Sequence, residues 1–359
     1  MKLGILGGGQ LARMMALAAY PLGIRTVCYD PTPDVCAGDV TELITADYSD
    51  LSALDKFLAN VDCITIESEN IPLECAKYVS KTHSFYPSVK ALDISQDRLV
   101  EKRFFNSLNM RTAKFIPVNS EEELEKALQD IDFPAVLKTR RFGYDGKGQY
   151  HLKGQVDRAK AWQLLKNQSL ILEQFISFEC ELSLIAARSK DGQTVFYPLN
   201  QNSHKHGVLQ STEAPFVNHE LQQEAQIQAT RILDHLNYVG VLTIEYFYDG
   251  HHLIVNEIAP RVHNSGHWTI DGAQTSQFEN HLRAIFDLPL GSTEVLGHCF
   301  MLNCLEEMMP IKSILRIPEL HYHTYAKASK PGRKVGHITL VDQELERYHK
   351  SKHKLLNRS

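Results

Sequence analysis

The chain has 359 residues, 43% of them hydrophobic, and a formal net charge of -5, so it can bury a large core and offers no nucleic-acid footprint. It has no apolar run of the roughly 18 residues that a membrane span needs, and its apolar start is too short for a signal peptide. Seven scattered cysteines without Cys-x-x-Cys spacing indicate reduced thiols, so we expect a cytoplasmic protein of two or three domains.

The first elements predict an α/β domain that opens like a Rossmann fold. A short apolar strand at residues 2–6 leads into Gly7-Gly8-Gly9-Gln10-Leu11-Ala12, which fits G-x-G-x-x-A, and apolar residues then recur at helical spacing as far as Gly23. A second strand ends at Asp30. Such a turn can bind a dinucleotide, or another phosphate, at a helix N-terminus. The alternative is a tight turn with a purely structural role.

Polar residues follow the next buried strand of this domain. Glu67 and Asn70 come directly after residues 63–66, at the carboxyl edge where open parallel sheets bind ligands. We predict that they contact a substrate, with helix capping by Asn70 as the alternative. A helix over residues 96–108, which carries Arg98, marks the first domain boundary.

A lysine and a glycine-rich loop come next. Lys138 ends the apolar strand 135–138 and needs an anionic partner. The loop after it, residues 139–149, combines cations with three glycines, which allow backbone N–H groups to approach phosphates. We predict that this loop covers phosphates, with a solvated turn as the alternative, and it is not a Walker A motif.

The apolar strand 170–175 becomes polar at Glu173, and a further strand begins at Glu181. Backbone amides and carboxylates of this kind can hydrogen-bond an adenine edge and ribose hydroxyls. Further along, a turn at Asp249-Gly250 separates two apolar strands, each of which contains one glutamate, Glu245 and Glu257.

Burying a carboxylate in an apolar strand is costly unless it is paired or holds a metal, so we predict that these two glutamates share a cation. A two-residue loop would place Glu245 beside Asn256 instead, and sharing therefore requires an odd-length loop or a bulge. Oxygen ligands without Cys or His suit Mg²⁺ together with nucleotide phosphates. The alternative is an exposed hairpin. The C-terminal segment contains Lys327, a cationic turn at 330–337 and a tail, 344–359, that is polar enough to fray.

In this order the features resemble the ATP-grasp superfamily and, within it, the N5-carboxyaminoimidazole ribonucleotide synthase family. The resemblance covers nearly the whole chain and rests on the motifs at 9–14, 143–149, 259–269, 276–279 and 332–337. It implies an α/β ATP-grasp architecture with a Rossmann-like preATP-grasp domain at 1–98, an ATP-grasp domain at 99–288 and a small β-rich C-terminal domain at 289–359. A lid subdomain would span about 110–175.

The resemblance also implies an activity. ATP would phosphorylate bicarbonate to carboxyphosphate, and the amine of 5-aminoimidazole ribonucleotide would take up the carboxyl group, giving N5-carboxyaminoimidazole ribonucleotide, ADP and phosphate in purine (IMP) biosynthesis. The cofactors would be ATP and Mg²⁺, with Mn²⁺ as a substitute. The partners would be these small molecules and a second copy of the chain in a homodimer.

Site residues follow from the same resemblance. The metal ligands would be Glu245 and Glu257, and the catalytic residues Asp145, Arg261 and Lys327, with Asp145 handling the N5 proton. Contacts to ATP would come from Arg98, Lys138, Gly143, Tyr144, Asp145, Gly146, Lys147, Gly148, Gln149, Glu173, Gln174, Phe175, Ile176, Glu181, His204, Asn256 and Glu257. Contacts to the other substrates would come from Gln10, Glu67, Asn70, Tyr144, Arg261, His263, Asn264, Lys327 and Arg333.

Three other hypotheses compete with this one. A sister ATP-grasp enzyme, such as a formate-using transformylase or a glycinamide ligase, would share the ATP site but use another acceptor. A nicotinamide-dependent dehydrogenase would use the first glycine-rich turn and Asp30, which leaves the paired glutamates without a role. An inactive nucleotide-binding regulator is disfavoured by the intact carboxylates and lysines.

Overall fold

The computed structural model describes residues 1–143 and 146–357, which form three β-sheets with helices in their connections. Tyr144 and Asp145, both predicted to contact substrates, lie outside the described residues. No helix within the described ranges is long and apolar enough to cross a membrane.

The N-terminal part is a parallel sheet, as the Rossmann-like opening predicts. Its elements are β1 (Lys2–Leu6), α1 (Gln10–Ala19), β2 (Arg25–Asp30), β3 (Glu42–Thr45), α2 (Leu51–Leu58), β4 (Cys63–Ile66), α3 (Leu73–Val79), β5 (Ser84–Tyr86), α4 (Val89–Ser95) and α5 (Arg98–Ser107). The strand order is β3-β2-β1-β4-β5. Leu6 pairs with Ile66 across β1 and β4, so the first glycine-rich turn and Glu67 leave the sheet side by side.

A second, antiparallel sheet, called the lid sheet below, lies within the region predicted to form the lid subdomain. Its elements are β6 (Phe115–Val118), α6 (Glu121–Asp130), β7 (Ala135–Thr139), β8 (Gln149–Leu152), α7 (Arg158–Leu165) and β9 (Leu170–Gln174). The strand order is β6-β9-β7-β8. Because β7 pairs with β8, the glycine-rich loop between them is the connection of a hairpin, and it is tied to the sheet at its base by Thr139 N and Gly148 O, 2.8 Å apart.

The remaining strands form one large sheet. Its elements are β10 (Cys180–Arg188), β11 (Thr194–Phe196), β12 (Asn200–Lys205), β13 (Val208–Ala214), α8 (His219–Leu236), β14 (Gly240–Tyr248), β15 (Leu253–Ala259), α9 (Thr269–Gly272), α10 (Gln277–Ile285), β16 (His298–Leu305), α11 (Ile311–Ile314), β17 (Leu320–Thr324), β18 (Lys334–Asp342) and α12 (Leu345–Leu356). The strand order is β15-β14-β10-β12-β13-β16-β18-β17, with β11 beside β10. The C-terminal strands β16 to β18 therefore extend the central sheet, since β16 pairs with β13.

The N-terminal part is packed tightly on the central sheet. Helix α1 packs against α10, and apolar residues of both parts share one buried cluster. A buried hydrogen bond reinforces this contact, because His281 of α10 accepts from Val241 N at 3.0 Å and lies 2.8 Å from the hydroxyl of Thr65 on β4. The N-terminal part and the central sheet therefore hold a fixed position relative to each other, and the space between them is bordered by both.

The helix predicted over 96–108 is confirmed as α5, which begins at Arg98 because Asp97 caps it by accepting the N–H groups of Leu99 and Val100. One local prediction was wrong. Of the tail predicted to fray, residues 345–356 instead form α12, which buries Tyr348 and Leu355 against the C-terminal strands. Its many charged residues make the helical spacing of its few apolar residues hard to recognise in the sequence.

We predict that Leu355→Ala lowers the free energy of unfolding by about 2–5 kcal/mol, because the fully buried side chain would leave a cavity. Leu356→Ala is the matched control, since that neighbouring side chain is 43% exposed. Urea unfolding of both variants measures the difference. Equal stabilities would show that α12 does not belong to the cooperative core.

Candidate active site

A cleft of about 810 Å³ lies where the N-terminal part, the lid sheet and the central sheet meet. Twenty of the residues predicted to contact substrates or metal line it, and they come from all three parts. They are Gln10, Asn70, Arg98, Lys138, Gly143, Gly146, Lys147, Gln149, Glu173, Gln174, Phe175, Ile176, Glu181, His204, Glu245, Asn256, Glu257, Arg261, His263 and Asn264.

The two strand glutamates face each other across the β14–β15 hairpin. The register pairs Glu245 with Glu257 and Tyr246 with Val255, so Asn256 is the extra residue of a β-bulge. This confirms that the carboxylates meet through a bulge, as strand parity required. The bulge also lets Asn256 and Glu257, although consecutive, both line the cleft.

The carboxylate pair is electrostatically unbalanced. Burial, and then repulsion from Glu257, raises the pKa of Glu245 to about 7. Burial also acts on Glu257, but Arg98, whose Nη1 lies 2.8 Å from its Oε2, holds the pKa of Glu257 below its ordinary value. Among the described residues, the buried Oδ1 of Asn256 has no hydrogen-bond partner. Two carboxylates beside an unpartnered amide oxygen fit a hard divalent cation.

The strand that carries Glu257 is held by helix α5. Strand β15 is at the edge of its sheet, which leaves backbone groups unpaired by a neighbouring strand. Glu101 accepts the N–H of Ile258 at 2.8 Å, and Lys102 donates to the carbonyl of Asn256 at 3.4 Å. Sequence reasoning missed both residues. Their spacing of three and four from Arg98, which places all three on one helix face, is the signal that could have found them.

Glu173 is the counter-ion of two lysines. Its Oε2 lies 2.8 Å from Lys138 Nζ and 3.4 Å from Lys102 Nζ, and all three side chains are largely buried. Burial opposes ionisation, but Lys102 and Lys138 lower the pKa of Glu173 to about 2. The predicted anionic partner of Lys138 is therefore Glu173 in the protein without ligands.

The loop after β15 is tied to the N-terminal part. Arg261 forms an ion pair with Glu69, whose pKa is about 2 because Arg261 outweighs the effect of burial. Burial and the charge of Arg261 lower the pKa of His263 to about 3, and its Nε2 lies 3.7 Å from Glu245 Oε1. Sequence reasoning chose Glu67 and Asn70 but missed Glu69 between them, since nothing in the local pattern identified its partner.

The cleft is also lined by Glu181, by His204 and by the base of the glycine-rich loop. Nδ1 of His204 lies 2.9 Å from Glu181 Oε2, and although burial acts against it, this carboxylate raises the pKa of His204. Arg98 donates to the carbonyl of Gly143 at 3.3 Å. Asp97 holds the loop base through two hydrogen bonds from Arg140, at 3.0 and 2.7 Å.

Four predicted residues lie outside the lining of this cleft in the described structure: Glu67, Gly148, Lys327 and Arg333. Lys327 contacts the side chain of Gln10, so the two ends of the chain meet beside the cleft. Arg333 donates to the carbonyl of Ala328 at 3.3 Å.

The first glycine-rich turn already has acidic partners. Glu67 accepts the N–H of Gly9, and Asp30 accepts the N–H of Gly8 at 2.8 Å. A dinucleotide pyrophosphate would need these amides and would meet two carboxylates. This geometry disfavours the dehydrogenase hypothesis.

Three family models match consecutive segments of the chain. The family model for the ribonucleotide synthetase preATP-grasp domain matches residues 1–96, that for the ATP-grasp domain 103–278, and that for the phosphoribosylaminoimidazole carboxylase C-terminal domain 299–351. The chain is 47% identical over 340 residues to the N5-carboxyaminoimidazole ribonucleotide synthase of Pseudomonas aeruginosa, which covers 95% of this chain and 94% of that protein.

Solved structures agree as well. The N5-carboxyaminoimidazole ribonucleotide synthetase of Thermus thermophilus superposes with a TM-score of 0.95 at 45% identity and covers 99% of this chain and 98% of that one. The Aspergillus clavatus synthase, in complex with ADP and 5-aminoimidazole ribonucleotide, gives 0.92 at 29% identity and covers 99% and 97%.

We predict that Glu245→Gln stabilises the metal-free protein at pH 8 by roughly 1–3 kcal/mol, because the amide removes a buried charge. The folded-state pKa of Glu245 lies above its unfolded value, so the wild type loses stability as pH rises through about 7. The advantage of the variant should therefore shrink as pH falls below 7 and vanish below about pH 4.5, the ordinary pKa of this carboxyl group. Thermal unfolding in chelator measures it, with the exposed Glu220→Gln as control. A variant less stable than wild type at pH 8 would contradict the carboxylate repulsion.

Proposed function

The chain belongs to the N5-carboxyaminoimidazole ribonucleotide synthase family of ATP-grasp enzymes, and from this premise we propose that it uses ATP and bicarbonate to carboxylate 5-aminoimidazole ribonucleotide. One observation carries the proposal. The same cleft is lined by the Glu245–Glu257 pair, by Glu173 with its partner Lys138, and by the loop that contains Arg261. Sister enzymes with other acceptors and a dehydrogenase are not favoured.

We assign the ATP end of the cleft to the lid strands and α5. Lys138 is held by Glu173 without ligands, and it can turn to a phosphate because Lys102 remains to neutralise that carboxylate. Arg98 and the loop residues Gly143, Gly146, Lys147, Gly148 and Gln149 complete the phosphate contacts. The hinge from Glu173 to Ile176, with Glu181 and His204, would hold adenine and ribose. The predicted contact Tyr144 lies outside the described residues.

Glu245 and Glu257 would hold Mg²⁺, with the amide oxygen of Asn256 beside it, and the same oxygen ligands accept Mn²⁺. The support is the unrelieved repulsion of the two carboxylates and the unpartnered Asn256 oxygen. When bound, the metal would neutralise charge on the transferred phosphoryl group. Because of the bulge, all three residues line the cleft.

The proposed chemistry has two steps. A bicarbonate oxygen bonds to the γ-phosphorus while the bond to the ADP oxygen breaks, giving carboxyphosphate. The N5 lone pair then forms a bond to the carboxyl carbon, phosphate leaves, and the displaced N5 proton passes to a base. We propose Asp145, outside the described residues, as that base, and Arg261 as the cation that meets the carboxylate and phosphate oxygens.

The ribonucleotide would bind where the chain ends meet. Gln10 begins helix α1, and its side chain contacts Lys327, whose ammonium group can pair with the ribonucleotide phosphate. We propose that Arg333 completes this phosphate site, with Glu67 and Asn70 towards the sugar and base. Lys327 is partly buried, and burial lowers its pKa, so its charge is poorly solvated without a ligand.

The test is phosphate release with ATP, Mg²⁺ and bicarbonate, with and without 5-aminoimidazole ribonucleotide. We expect strong stimulation by the ribonucleotide and none in Glu257→Gln, whose fold is checked by circular dichroism. Phosphate release that is the same with and without the ribonucleotide would refute 5-aminoimidazole ribonucleotide as the acceptor. Only the assignment to the ATP-grasp superfamily would then remain.

We predict that Arg333→Ala raises the KM for 5-aminoimidazole ribonucleotide by the equivalent of about 1.5–3 kcal/mol, because a charged hydrogen bond to phosphate is lost. The KM for ATP should stay nearly unchanged. Lys312→Ala, which removes an exposed cation elsewhere in the C-terminal part, is the control. A rise in the ATP KM alone would assign the cationic turn to the nucleotide instead.

A further inference from the structure

Asn264, on the loop that lines the cleft, is paired with a second asparagine. Its Nδ2 donates to Asn303 Oδ1 at 3.0 Å, and Asn303 Nδ2 donates back to Asn264 Oδ1 at 2.8 Å. Asn303 lies on β16 and is only 6% exposed. Two reciprocal bonds fix the plane of the Asn264 amide.

The orientation of this pair is set by a backbone carbonyl. Asn303 Nδ2 also donates to Leu209 O at 2.9 Å, and a carbonyl oxygen can only accept. The amide nitrogen of Asn303 must therefore face Leu209, and its oxygen must face the nitrogen of Asn264. Flipping either amide would bring two oxygens or two N–H groups together.

The second hydrogen of the Asn264 amide is also used. Asn264 Nδ2 lies 2.9 Å from Nδ1 of His267, a side chain that is 1% exposed. Burial lowers the pKa of His267 well below its ordinary value, so the ring is neutral and Nδ1 can accept. Tyr325 lies 3.1 Å from the same nitrogen, but its hydroxyl has a closer acceptor in His337 Nδ1, at 2.7 Å.

Both N–H groups of Asn264 are thus engaged within the protein, and Oδ1, which accepts from Asn303, keeps one lone pair. Resting on the proposed function, we propose that Asn303 fixes Asn264 as a hydrogen-bond acceptor that recognises the exocyclic amine of the ribonucleotide. Asn264 is then a specificity-determining residue and Asn303 a positioning residue that acts through it.

The position of the loop selects the amine among the available donors. His263, next to Asn264, approaches Glu245, which places this loop at the reacting end of the cleft. Phosphates offer acceptors only, and the proposed phosphate and sugar site is at Gln10 and Lys327. An amide oxygen can hold an N–H without removing its proton, since a carboxamide is not a base at neutral pH.

The experiment compares binding of 5-aminoimidazole ribonucleotide with that of imidazole ribonucleotide, which lacks the amine, by calorimetry. We expect the wild type to prefer the amine at least about tenfold, because an acceptor left unpaired is costly. In Asn264→Ala the preference should fall below about threefold. Asn303→Leu should reduce the preference similarly, although the Asn264 side chain is retained, and circular dichroism checks its fold.

Tyr325→Phe is the matched control, because it removes a buried hydroxyl of the same cluster but neither bond of the asparagine pair. Its preference for the amine should equal that of the wild type. An unchanged preference in Asn264→Ala would overturn the proposal, as would equal weakening of both ligands, which would assign Asn264 to a ribose hydroxyl. Failure of the proposed function is distinguishable, because it would remove ribonucleotide-stimulated phosphate release from the wild type itself.

Discussion

Two carboxylates facing each other across one hairpin are the constraint on which the rest of this structure depends. Glu245 and Glu257 are brought together by a bulge, and among the described residues Arg98 is the close cationic partner of Glu257. The pKa of Glu257 is therefore lowered, while burial and the neighbouring carboxylate raise the pKa of Glu245 to about 7. Such a pair is unfavourable for folding, which is a common compromise at functional sites.

Helix α5 makes this compromise tolerable. Its cap residue Asp97 binds the base of the glycine-rich loop, and its first residue, Arg98, binds Glu257. One turn later, Glu101 and Lys102 satisfy the exposed backbone of the edge strand β15, and Lys102 reaches Glu173 on the lid sheet. A single helix face thus contacts both the lid sheet and the strand that carries Glu257. A movement of any of these parts would therefore alter the contacts of the same few side chains.

Sequence reasoning succeeded where the chemistry is local to one element. Carboxylates in apolar strands are informative because burying them is costly. Strand parity then required an odd-length loop or a bulge, and the structure contains the bulge. It failed where a partner is distant in the chain. Glu69 and Asn303 look ordinary until Arg261 and Asn264 are placed beside them. The prediction for the tail was wrong for another reason. In α12, a few buried apolar residues stabilise the helix although many of its residues are charged.

The large sheet is continuous from the glutamate hairpin to the strand that carries Asn303. From Glu245 on β14, paired strands run without interruption through β10, β12 and β13 to β16, which carries Asn303. The Asn264 side of the cleft is thus connected by backbone hydrogen bonds to the strand that carries Glu245. Among the described residues, the lid sheet shares no strand pairing with the large sheet, and Lys102 of α5 links the two sheets by contacting Glu173 and the carbonyl of Asn256. Side-chain contacts exchange more easily than strand pairs, so the lid sheet can shift more easily than the strands of the large sheet.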